Sequence, residues 1–462
     1  MLKTIYNNSL NIKPLSFIIN RITKGHERSV KAKKNIVAAF FIKGCNMVTG
    51  LALVPLTIHY INPTKYGIWI TLSSIIGWFS LFDIGFGNGL RNKFGEAIAK
   101  GERRAARIYV STTYAILSII IVVAITLFLL INPFLNWSKI LNTPDVMARE
   151  LSLMALIVFV FFCLRFVLKL ISTIIIADQK PAKAQLFDFL SSLFSLIVIF
   201  ILTKTTQGSL LLLATALSTI PIIVLALSSF WFYSKEYKDF APSLKFVDFS
   251  YARSLMGIGL KFFIINIAGL VAYETTNIVI TQIVGPKGVT VYNLSYKYFS
   301  ILTVGFSMLL SPFWNAFTEA KVLEDYVWMK RMVKKLIKAW FIFLVIGVIF
   351  LFSSSLLYRL WFGTSVTIPF TVTLAVFFYV VVYNWCAIFS QISAGFGKIK
   401  LQVYVALCSC LINIPFSFFL GRIWGITGIV MATALLCCTS AIWNPIQIHL
   451  LINKKAKGIW NA

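Results

Sequence analysis

Eight ionisable side chains lie inside long apolar runs: Lys43, Arg165, Lys169, Lys261, Lys297, Asp83, Asp188 and Glu274. A charge at the centre of a bilayer costs about 2.5–3.5 kcal/mol on insertion scales. Eight such groups facing lipid would be prohibitive, so most must line water or pair with one another. The cations outnumber the acids, and a wet interior with that excess suits an anionic ligand. Arg165 and Lys169 are four residues apart and share a helix face. They repel, and need a shared anion, an acid from a neighbouring helix, or the membrane interface. Lys43 and Lys261 lie near enough to the starts of their spans for snorkelling to the edge to be the plain alternative. Asp188 reads as interfacial. Lys297 and Glu274 are deep, and their plain alternative is a buried pair. Asp83 and Glu274 are candidate ion or proton carriers, because protonation relieves the cost of burial. They would equally serve to neutralise cavity cations.

The most distinctive stretch follows directly. Asp83 precedes Gly85, Gly87 and Gly89, with Asn88 among them and Arg91 and Lys93 after. Alternate glycines let another backbone or a ligand approach closely, yet each weakens a helix by roughly 1 kcal/mol relative to Ala. A plain lipid-facing anchor gains nothing from that, although a glycine-softened helix end with a basic flank has the same composition.

The elements that position these groups are membrane spans. The 462 residues are 59% hydrophobic and only 13% charged, where soluble domains are nearer a quarter. Apolar runs of span length recur throughout, so the fold class is an all-α polytopic membrane protein; a β-barrel would alternate in short segments. The spans expected are 36–60, 66–90, 108–132, 151–176, 185–203, 209–232, 256–283, 288–316, 337–358, 368–395, 401–420 and 427–451, about twelve in all. They divide the chain into a tail (1–35), a first six-helix bundle (36–232), a linker (233–255), a second six-helix bundle (256–451) and a tail (452–462). Residues 1–35 lack the short apolar region and cleavage site of a signal peptide.

The net charge of +28 could suggest nucleic acid, but its placement argues against that partner. Of the 43 Lys and Arg, 31 fall in the tails and alternate loops on one side, and 7 on the other. This bias puts both termini in the cytoplasm of a plasma membrane. The seven cysteines lie in apolar runs without zinc spacing, and with three histidines no metal site is expected. No Walker motif, HExxH or nucleophilic triad is visible, so neither an enzyme nor a cofactor is implied. Energy would come from an ion or proton gradient. The outer loops are too short for an external catalytic domain. Lys43 with Pro63 and Gly67, against Lys261 with Pro286 and Gly288, hints at duplication of the two halves, with a site between them. Trp69, Trp78, Tyr273, Tyr292, Tyr296 and Tyr298 are packing or interface aromatics, some of which could stack on sugar rings.

Tyr66-Gly67-Ile68-Trp69 and Phe82-Asp83-Ile84-Gly85-Phe86-Gly87-Asn88-Gly89-Leu90-Arg91-Asn92-Lys93 resemble the start of Wzx-type O-antigen flippases, in the superfamily that includes multidrug MATE exporters. The resemblance covers spans 1–3 by motif and the remainder by span count, loop length and the basic linker. It implies a MATE-like pair of bundles around a V-shaped cavity faced by spans 1, 2, 7 and 8. The implied substrate is an undecaprenyl-pyrophosphate-linked oligosaccharide carried to the outer leaflet. Lys43, Lys261 and Lys297, with Arg165, Lys169 and Arg91, would bind its pyrophosphate. A polysaccharide polymerase and a chain-length regulator are implied partners, besides membrane lipids. The alternatives are a cation-coupled multidrug exporter, a lipid II flippase, and a membrane glycosyltransferase or polymerase. A cationic cavity disfavours the first, and short outer loops disfavour the last.

Overall fold

The computed structural model describes residues 27–83, 85–256 and 274–461, all helix, turn and loop without strands. The helices are α1 (Glu27–Ile61), α2 (Pro63–Gly77), α3 (Phe86–Lys100), α4 (Arg103–Ile131), α5 (Trp137–Ile140), α6 (Ala148–Leu168), α7 (Leu170–Ala177), α8 (Pro181–Thr205) and α9 (Leu210–Ser234). After the linker come α10 (274–283), α11 (Pro286–Leu310), α12 (Phe313–Val322), α13 (Tyr326–Phe362), α14 (Phe370–Phe396) and α15 (Lys400–Ile452). Among the described residues, eight helices are long and apolar enough to cross a membrane.

Local chemistry sets the boundaries. α2 starts with Pro63 after Asn62, whose side chain accepts from the Lys65 N–H. Proline is at home there because its missing N–H would have no helical partner. Pro286 does the same for α11, after Gly285 at φ 96°.

The structure breaks three of the spans expected to be continuous. Span 66–90 stops at Gly77, runs through a 3-10 turn from Trp78 to Asp83, and restarts as α3 behind Gly85 at φ 84°. That left-handed φ is the one place in the motif where glycine is demanded by conformation. Span 151–176 breaks at Lys169, between α6 and α7. Span 288–316 ends its first helix at Leu310, just before Pro312, which lacks the N–H a continuing helix needs. By contrast, spans 401–420 and 427–451 lie on two helical arms of α15 that meet at Gly425, whose φ of 58° and ψ of −136° are not helical.

Among the described residues, three apolar cores organise the packing. The largest joins both halves at the end carrying the turns 61–65 and 284–287. It includes Ile58, Leu72, Phe128 and Phe159 from the first half and Val279, Leu294, Phe299 and Val376 from the second. At the opposite, linker end each half has its own core. One centres on Phe86, Leu90, Phe94 and Ile174; the other on Phe306, Phe317, Phe389 and Ile448. The linker is folded rather than loose. Its 3-10 turns lie on the start of α4, with Arg103 bonded to Asp239 (3.1 Å) and Arg107 donating to the Ala241 carbonyl (3.1 Å).

Candidate functional site at the junction of the two halves

α2 and α11 are the principal helices that meet across the halves. They come close because their facing residues are small. A Cβ on Gly67 would stand 1.8 Å from the Pro286 carbonyl oxygen, so only glycine allows this approach. Thr290 Oγ1 donates to the Pro63 carbonyl (2.6 Å) beside it. One turn deeper, the Thr71 and Thr281 hydroxyls share a 2.6 Å hydrogen bond, with both residues fully buried. Deeper again, Asn277 donates to the Ser74 hydroxyl (2.8 Å) and accepts from Asn293 Nδ2 (2.7 Å). Asn142 donating to the Thr281 carbonyl (3.0 Å) and Gln282 to the Ile140 carbonyl (2.7 Å) tie the turn end over the top.

This seam holds no charge until its inner end. Interhelical hydrogen bonds in membranes average about 0.6 kcal/mol each. The whole seam is therefore worth a few kcal/mol, the scale of an equilibrium between two populated conformations. It can close one end of the molecule and still open.

At the inner end stands Glu274. Its carboxyl lies over Gly77, where a Cβ would be 3.1 Å from Oε1, and it hydrogen-bonds Ser74. On α11, Lys297 follows Asn293 by one turn on the same face. It is half-buried and has no ion pair among the described residues. The expected plain pairing of Glu274 with Lys297 is therefore not formed; the acid is held by a serine instead. Tyr296 beside Lys297 stacks on Tyr292, with centroids 5.9 Å apart.

The other expected site residues are more scattered. Lys43 is half-buried on α1, which packs mainly on α8. Arg165 and Lys169 are exposed at the α6–α7 break, with Asp188 on α8 acting on Arg165. Arg91 is exposed on α3. Asp83 ends the 3-10 turn, and its side chain, like the whole of Lys261 and Tyr273, lies outside the described residues. Of the motif glycines, Gly85 sets the α3 start, and Gly89 meets the chain entering the second half: a Cβ there would be 2.0 Å from the Leu255 carbonyl oxygen. Gly87 and Asn88 lie in the first turn of α3. The neutral seam residues Thr71, Ser74, Asn277, Thr281 and Asn293 were not picked out in the sequence. Their signal was present as polar side chains three or four apart within apolar runs, on one face of each helix.

Comparison with known proteins fits this geometry. No family model matches the chain. A Salmonella typhi protein bearing a provisional name as an O-antigen transporter is 20% identical over 432 residues, covering 92% of this chain and 96% of that one. A Yersinia pseudotuberculosis protein, provisionally named an O-antigen export protein, is 22% identical over 352 residues, covering 75% and 79%. Among solved structures, an inward-facing multidrug resistance MATE family transporter of the MOP superfamily superposes with a TM-score of 0.72 at 15% identity, covering 91% of this chain and all of that one. The chain has the fold of this MATE family transporter. It is an all-α membrane protein of about twelve spans in two MATE-like bundles. An outward-facing MATE transporter superposes with a TM-score of 0.62.

Proposed function

We propose that this protein is a flippase for a diphosphate-linked, polyprenyl-anchored oligosaccharide, moved from the cytoplasmic to the outer leaflet of the bacterial inner membrane. The observation that carries the reading is the half-buried Lys297, without an ion pair among the described residues, below a closable neutral seam. An ammonium in that position attracts an anion and repels the cationic substrates of a drug exporter. The names of the relatives support the saccharide.

In this reading the basic linker end faces the cytoplasm, as the charge bias requires, and the two halves stand apart there. The lipid-linked diphosphate enters between them and meets Lys297, with Lys43 and Lys261 as further cations. Arg165, Lys169 and Arg91 lie along the cytoplasmic side and attract the anionic head. The saccharide occupies the wet interior while the polyprenyl tail stays in the bilayer. Loading Lys297 removes an uncompensated charge and lowers the cost of closing the linker end. The seam between α2 and α11 then opens to the outside. Protonation of Glu274 weakens its hold on Ser74 and couples the opening to a proton gradient. A polymerase and a chain-length regulator would receive the product on the outer side.

The test is a strain lacking the protein. Loss of surface glycan, with lipid-linked repeat units retained on the cytoplasmic side, supports the reading. Unchanged glycan with increased sensitivity to cationic dyes overturns it in favour of drug export.

A further inference from the structure

A second chemical environment lies within the C-terminal half. A cavity of about 400 Å³ opens between α14 and the two arms of α15 on either side of Gly425. Tyr383 and Gln391 line it from α14, Gln402 and Asn413 from the first arm, and Trp443 and Asn444 from the second. No lining residue is charged. Two of the polar groups are already tied: Gln402 Nε2 donates to the Ser390 hydroxyl (2.6 Å) and Asn413 Nδ2 to the Thr433 hydroxyl (3.1 Å). Asn444 is different. It is 3% exposed, and its Oδ1 has no hydrogen-bond partner among the described residues; Trp443 Nε1, on the preceding residue, has none there either. A buried acceptor and a buried donor left open in the lining of one cavity lose free energy unless a ligand satisfies them.

The lining also excludes ligand classes. With no cation it offers nothing to a phosphate, and with no carboxylate it offers nothing to an organic cation. Amides, hydroxyls and aromatic faces without charge are what a neutral polyhydroxylated ring needs: hydrogen bonds around its rim and an apolar platform for its face. A row of aromatic rings leads from α11 to the cavity. Tyr292 and Tyr296 on α11 continue through Tyr379 to Tyr383 on α14, with centroids 5.9, 6.4 and 6.0 Å apart. This row begins on α11, the helix that carries Lys297, and its last two members, Tyr379 and Tyr383, line the cavity.

We infer that the cavity bounded by α14 and α15 is a binding site for a neutral sugar residue of the transported ligand, separate from the cationic site on α11. The inference rests on the flippase reading and adds a division of labour: charge is held on α11, and sugar identity is sampled in the C-terminal cavity.

Cys410 lines the cavity, whereas Cys408, two residues away, is exposed and does not. Two variants of the full chain, each keeping one of these cysteines with the others changed to serine, are reconstituted and labelled with a neutral maleimide. The probe is the repeat-unit oligosaccharide released from the cell's own surface glycan and freed of phosphate; inorganic pyrophosphate is the comparison. The saccharide should slow labelling of Cys410 and leave Cys408 unchanged. At a concentration equal to its dissociation constant half the sites are filled, so the rate falls about twofold. Pyrophosphate should leave both rates unchanged. Asn444→Leu should abolish protection, and the milder Trp443→Phe should weaken it at normal protein level. Equal rates with and without saccharide would reduce the cavity to a water-filled space and overturn the inference. Slowing by pyrophosphate alone would make it an anion site and overturn it equally. Either result leaves the flippase reading standing if Lys297→Ala still blocks export; unchanged glycan in the deletion strain removes that reading by itself.

Discussion

The two ends of the molecule solve opposite problems with different residues. At the turn end the halves share one core, and α2 touches α10 and α11 through glycine, threonine, serine and asparagine. At the linker end the described residues of each half form a core of their own, and surface ion pairs fasten the linker to the first half. A shared core with a neutral seam makes a closure that is specific in geometry but weak in energy. Separate cores let each half keep its shape when the other moves away. The difference shows how one chain can be rigid within its halves and changeable between them.

The strongest way to break this contrast is to make the closed end permanent. The Thr71 and Thr281 hydroxyls are 2.6 Å apart. In the double variant Thr71→Cys, Thr281→Cys, oxidation should abolish transport, and reductant should restore it. Glycan export that continues with the crosslink formed would mean that this seam need not open.

Gly67→Ala should act next most strongly. Its Cβ would fall 1.8 Å from the Pro286 carbonyl oxygen, and overpacking of this kind costs about 1–3 kcal/mol. That is comparable to the whole seam, so the closed state should be lost and surface glycan should fall steeply at matched membrane level. A crosslinking assay between α2 and α11 would report the separation directly.

Lys297→Ala should reduce export by roughly tenfold, the equivalent of ~1.4 kcal/mol, and Lys297→Arg should recover part of it. Both should accumulate in the membrane at the normal level, because the ammonium has no partner among the described residues whose loss would strand a charge. Equal export by all three proteins would remove the charge from the mechanism.

The smallest effect belongs to the linker. Glu236 bonds Lys180 (2.7 Å) and Lys183 (2.5 Å), and Asp178 pairs with Lys180 and accepts from Tyr237 (2.7 Å). Burial alone would raise the Glu236 pKa, but the hydrogen bonds from the two lysines outweigh it and hold the carboxyl below its ordinary value. A lowered carboxylate pKa contributes stability above the ordinary value, and that stability is lost as pH falls through the lowered one. Linker proteolysis should therefore be flat from neutral pH down to roughly pH 5 and rise below about pH 4. Glu236→Gln should shift linker opening by no more than ~1 kcal/mol, as partly exposed ion pairs do, with little effect on export.

Sequence reasoning read the two ends unequally. Gly67 and Glu274 were visible because a glycine or an acid inside an apolar run is conspicuous, and both stand in the seam. Arg165 and Lys169 were equally conspicuous, yet they lie exposed at a helix break, since charge alone does not say which face a helix turns inward. Thr71, Ser74 and Asn277 were overlooked because neutral polar residues are common in spans.

Hydropathy and charge placement determined by themselves that this chain crosses the membrane repeatedly, about where it crosses, and which flanks are basic. Those properties depend on transfer of each segment between water and hydrocarbon, which is local and additive along the chain. Only the tertiary structure decided that the halves meet at one end, that Glu274 bonds a serine rather than Lys297, and that Asn444 and Trp443 share an uncharged cavity. Those outcomes depend on which helix faces pack together, and residues more than two hundred positions apart in the chain settle that jointly.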